Sequence, residues 1–117
     1  METEIKKYLF DINESIDSIE KYLGGKRDFN IYLADKMLRR AVEREFEIIG
    51  EATKKIPVDF KLKWYSINWK NMAGMRDRLI HDYMGVNYSI VWDVAKNKIP
   101  ELSLQIQKVI QTEESGQ

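Results

Sequence analysis

Residues 5–23 read IKKYLFDINESIDSIEKYL. Within them Ile5, Leu9, Ile12, Ile16, Ile19 and Leu23 follow one another in alternating steps of four and three. That spacing keeps all six on one side of an α-helix and breaks the every-other-residue pattern a half-buried strand needs. It predicts a helix over about residues 2–23 whose heptad-like seam packs against other helices as bundle core, a subunit contact being the additional role such a seam can carry. Gly24 and Gly25 supply its stop.

Working outward, the same periodicity recurs. A second helix is expected over roughly 29–55, capped by Asp28 or Asn30, with Ile31, Ala34, Leu38, Ala41, Val42, Ile48, Ile49 and Ala52 as its apolar stripe and Pro57 marking the stop. The segment VDFKLKWYSI reads as a short helical turn and a connector. A third long element begins at Asn68, a suitable N-cap, and stops at Gly85. Asn87 can cap a last helix to about Ile110, which Pro100 should kink or divide. Residues 1–112 are expected to form a single domain and residues 113–117 a frayed polar tail. The prediction is an all-α fold, a four- to five-helix antiparallel bundle.

Composition agrees and excludes several classes. The chain has 117 residues, 44% hydrophobic and 32% charged, with two prolines and six glycines. One core of ordinary size is all that length supports. With no cysteine in the chain, disulfides, thiol chemistry and cysteine zinc sites are ruled out. The first residues, METEIKKYLFDINESI, carry acids throughout and do not read as a signal peptide. No run of about 20 apolar residues exists, so no membrane span is expected and a cytoplasmic location follows. Net charge is zero, which argues against a dedicated duplex-DNA binder. The charge is uneven, however. From Lys61 to His81 the cations Lys61, Lys63, Lys70, Arg76 and Arg78 face Asp77 alone, so a basic patch can surround His81 on a neutral protein. The same distribution also fits an ordinary solvated surface.

Chemistry concentrates in RDRLIHDY, residues 76–83, which holds the only histidine, His81. On a helix Met72, Met75 and Leu79 face the core, Arg76 lies beside them, and His81 points roughly 140° away from Arg76. Asp77, four residues before His81, can accept a hydrogen bond from it or favour its charged form. Arg76 and His81 of one straight helix therefore converge poorly on one small group. Either the helix loosens before His81 or the site is completed from elsewhere, as a two-fold dimer would do. Histidine exchanges protons near neutral pH, and arginine holds phosphate through paired hydrogen bonds. The pair suits RNA cleavage without a metal, in which the 2′-hydroxyl attacks the neighbouring phosphorus. A lone histidine near a helix end is more often a cap or a surface group, and Arg-x4-His by itself recurs by chance.

The wider segments are more specific. AVEREFEIIGEATKKIP at 41–57, followed by INWKNMAGMRDRLIHDYMGVNYSIVWDVAKNKIPEL at 67–102, resembles the HepT-like toxins of the HEPN superfamily. The resemblance implies a HEPN-like helical fold and a metal-independent endoribonuclease without cofactor, the toxin of a type VII-like toxin–antitoxin pair. It maps the pattern Arg-x4-His-x-Tyr onto Arg76, His81 and Tyr83. Arg76 and His81 would be catalytic, Arg76, Tyr83 and Arg78 would hold RNA, and Asp77 would support them. It implies a homodimer with the motif at the subunit cleft, and a nucleotidyltransferase antitoxin that AMPylates Tyr83, adding negative charge and bulk beside the phosphate site.

Weaker features remain open. Glu43, Glu47 and Glu51 follow i,i+4 steps, and one of them can pair with a semi-buried Arg76 or simply face solvent. Trp69 and Trp92 read as core, with stacking on RNA bases the alternative. The competing reading of the whole chain is a noncatalytic helical module that binds nucleotide or works through a partner transferase. A purely structural dimer is a third.

Overall fold

The six seam residues of the first helix are all buried, five of them completely, as their spacing demands. In the computed structural model, which describes residues 1–25, 28–81 and 85–116, they lie on α1 (Thr3–Leu23). Then come α2 (Phe29–Ala34), α3 (Lys36–Lys55), α4 (Val58–Lys63), α5 (Trp69–His81), α6 (Tyr88–Asp93), a π-helical segment (Val94–Lys98) and α7 (Ile99–Ser115). No strand occurs among the described residues. Among the described residues no helix is long and apolar enough to cross a membrane.

The long helices α1, α3, α5 and α7 make the bundle, with α3 packed between α1 and α5, and α7 against α1. α1 and α3 run antiparallel: Tyr22 near the end of α1 donates to Glu45 at 3.0 Å, while Lys55 at the end of α3 lies over the Tyr8 ring. α7 returns along α1, bringing Glu114 to 3.3 Å from Lys6. The fold is the expected HEPN-like helical bundle.

Three local expectations are corrected. The helix expected over 29–55 is two helices, because Asp35 ends α2 and caps α3. Its backbone is extended (φ −104°, ψ 93°), and Oδ1 accepts from the Leu38 N–H at 3.0 Å. The break changes the phase of α2. Ile31, expected in the apolar stripe, is 47% exposed, whereas Tyr32 is fully buried and packs on Trp92 with ring centroids 5.2 Å apart. The last helix is divided as Pro100 requires, but through a wide π turn in which Ile99 N–H reaches back to the Val94 carbonyl. Finally, α7 runs past Ile110 to Ser115, and the expected frayed tail at 113–117 is helical as far as Ser115. Glu113 explains this, since it accepts from Lys63 at 2.7 Å and pins the last turn to the end of α4.

The expected caps form at the ends nearest the motif. Asn68 Oδ1 accepts from Asn71 N–H at 3.0 Å and opens α5, and Asn87 Oδ1 takes the N–H groups of Ser89 and Ile90 to open α6. Trp69 and Trp92 are buried, and Trp69 donates to the Trp64 carbonyl at 3.1 Å.

Candidate active site

The site begins with a glycine inside a helix. A Cβ on Gly50 would lie 2.1 Å from Arg76 Cβ and 2.8 Å from the Met72 carbonyl oxygen. Only glycine lets α3 and α5 approach this closely, and the contact falls at Arg76 itself. Glu51, next along α3, thereby reaches Arg76, with Oε2 3.1 Å from Nη2. Asp77 takes the other terminal nitrogen, its Oδ1 lying 3.0 Å from Nη1. Arg76 is thus gripped at both ends of its guanidinium, its side chain only 22% exposed and its Nε buried without a hydrogen-bond partner.

The ionic chain extends at both ends. Glu51 Oε1 lies 3.9 Å from Lys55, and Asp77 Oδ1 also accepts from Lys54 of α3. The sequence negative–positive–negative–positive over Glu51, Arg76, Asp77 and Lys54 ties α3 to α5. Hydrogen bonds from Lys54 first, and then from Arg76, hold the Asp77 carboxyl below the usual carboxylate range. Of the three glutamates spaced along α3, Glu51 is the one that pairs with Arg76. Glu43 instead is partly buried, and desolvation raises its carboxyl.

His81 closes α5 as described and is exposed. The helix is continuous from Trp69 to His81, so it does not loosen before the histidine, and the two side chains leave it roughly 140° apart. Asp77 does not take a hydrogen bond from His81; its Oδ1 accepts from Lys54 and Arg76 instead. Arg78 is exposed and borders a cavity of about 160 Å³ with Met75, Leu79, Val86 and Ile90. A larger cavity, about 400 Å³, lies between α5 and α7, lined by Met72, Met75, Ile99 and Leu102 with Lys98 and Glu101 also on its wall. Tyr83 and its neighbour Asp82 fall outside the described residues. Among the described residues no three acidic or histidine side chains are grouped so as to hold a metal ion.

Sequence reading missed Gly50 and Lys54. The signal for the first was present: an isolated glycine inside an otherwise helical pattern marks a close approach of backbones. Lys54 gave no such signal, because its partner lies 23 residues away on another helix.

Arg76 and His81 thus lie on the last turns of a long helix in an all-helical bundle. The family model described as HepT-like ribonuclease matches residues 12–109. The chain belongs to this HepT-like ribonuclease family. The probable ribonuclease HepT of Thermococcus cleftensis is 44% identical over 109 residues, 93% of this chain and 98% of its own. The candidate RNase MJ1216 of Methanocaldococcus jannaschii is 43% identical over 107 residues, covering 92% of this chain and 88% of that one. The candidate RNase TTE0752 of Caldanaerobacter subterraneus subsp. tengcongensis is 47% identical over 85 residues, 73% and 76% of the two chains. No solved structure matches the chain.

Proposed function

We propose that this chain cuts RNA as a metal-independent endoribonuclease, using Arg76 and His81 at a cleft between two copies of itself. The observation that carries the reading is the state of Arg76: a guanidinium preset by Glu51 and Asp77, on the same unbroken helix as an exposed histidine that points another way. One α5 cannot turn both groups onto one phosphate. Two α5 helices related by a two-fold axis supply a second copy of each.

The RNA 2′-hydroxyl attacks the adjacent phosphorus while one His81 imidazole takes its proton. The bond from phosphorus to the 5′-oxygen breaks, and the other His81, as imidazolium, protonates that oxygen. Arg76 stabilises the charge that builds on the phosphoryl oxygens. The products are a 2′,3′-cyclic phosphate and a 5′-hydroxyl. Arg78 adds a contact to the RNA backbone, and Tyr83 contacts RNA and receives AMP from a nucleotidyltransferase antitoxin, the chain being the toxin of that pair in the cytoplasm. The similarity of RDRLIHDY and its surroundings to HepT-like toxins supports this regulatory part.

Purified protein, free of any partner and held in chelator, is the material for the test. The parent is expected to leave 2′,3′-cyclic phosphate ends, and His81→Ala to cut nothing while keeping its helical content and melting temperature, since His81 contributes nothing to the core. Equal cleavage by parent and variant refutes the assignment. Nucleotide binding without cleavage by the parent would point to a noncatalytic module.

A further inference from the structure

One carboxylate oxygen near the motif is shared by two cations from two helices. Asp77 Oδ1 accepts from Arg76 Nη1 at 3.0 Å and from Lys54 Nζ, which reaches across from α3. A guanidinium and an ammonium converging on one anionic oxygen is how a phosphodiester is held, the arginine giving direction and the lysine a mobile point charge. Here the anion is internal.

The place is open to solution, the Lys54 and Asp77 side chains being 37% and 45% exposed. Ion pairs at such exposure are weak and exchange easily for another anion. Arg76 would not lose its aim in the exchange, because Glu51 holds Nη2 independently of Asp77. The geometry also explains why the carboxylate is there. Without it, two cations would face each other across the α3–α5 contact that Gly50 draws tight.

We propose that Lys54 and Arg76 form a two-cation site for a phosphodiester of the RNA backbone, and that the Asp77 carboxylate occupies it until RNA displaces it. This rests on the reading of Arg76 as a phosphate-binding group and adds Lys54 to it. Lys54 acts on binding and not on proton transfer. Its contribution is therefore the same for every RNA sequence.

The test uses the full chain and a single-stranded RNA carrying 2′-O-methyl groups, which binds but cannot be cut. Binding is followed by fluorescence anisotropy between about 50 and 200 mM salt. Lys54→Ala should weaken binding of all sequences alike and reduce the slope of log affinity against log salt by about 0.7, the share of one contact to a single strand. Lys54→Arg should restore the slope. Asp77→Asn should tighten binding about two- to fivefold by removing the internal competitor. If Lys54→Ala leaves affinity and slope unchanged and lowers only the melting temperature, Lys54 merely ties the helices and the proposal is overturned. Weaker binding by Asp77→Asn overturns the internal-occupant part. Arg76→Ala in the same assay separates the two readings: no change there removes the phosphate role of Arg76 itself, whereas a change there and none at Lys54 removes only Lys54. Should Lys54→Ala fail to fold, Lys54→Gln takes its place.

Discussion

Gly50 is the residue on which the site geometry turns. Its missing side chain lets Met72 and Arg76 of α5 approach α3, and that contact sets where Glu51 can reach. Gly50→Ala would drive its methyl into Arg76 Cβ and into the Met72 carbonyl oxygen, a backbone atom at 2.8 Å that cannot swing aside. Overpacking of this kind costs about 1–3 kcal/mol, and a shifted urea midpoint would register it. A midpoint equal to the parent's would show that α3 and α5 do not meet there. Asp77 makes a second prediction, in pH. Lys54 and Arg76 lower its folded-state pKa below the unfolded value of about 3.9. Its stabilising effect is therefore complete above that value and is lost as pH falls through the lower, folded one. Parent and Asp77→Asn should differ in melting temperature at neutral pH and converge in strong acid. A gap that persists unchanged into acid would mean that the charge of Asp77 is irrelevant to stability. Arg76 and His81 could be picked out of the sequence because their spacing belongs to one element. Lys54 could not, because only the crossing of α3 over α5 brings it to Asp77.

Among the elements, short polar residues decide the boundaries. Asp28, Asp35, Asn68 and Asn87 all accept from N–H groups in the first turn of the helix that follows. Three of these were legible, since each stands ahead of an apolar periodic run with a turn behind it. Asp35 was not, because apolar residues at the right interval continue on both sides and disguise the break. Asp35→Ala removes the cap of the helix that carries Gly50, Glu51 and Lys54, and should lower stability by about 1 kcal/mol in chemical denaturation. No loss would imply that α2 and α3 are better described as one rod. The wide turn at Val94–Lys98 shows the limit of sequence reading differently: Pro100 announces a disturbance, but whether the chain kinks or widens depends on what Ile99 packs against, and Ile99 is buried.

At the scale of the whole molecule, the bundle was legible because four long amphipathic helices in 117 residues leave few other ways to bury their faces. How the bundle does chemistry was less so. A single chain presents Arg76 and His81 in diverging directions on an unbroken helix, and the proposal of a cleft between two copies answers that divergence. The most direct test follows the specific activity per chain on serial dilution, alongside sedimentation velocity on the same samples. Activity should fall in step with the fraction of dimer and vanish for the monomer. A monomer that cuts RNA as fast per chain as the dimer would contradict the shared cleft.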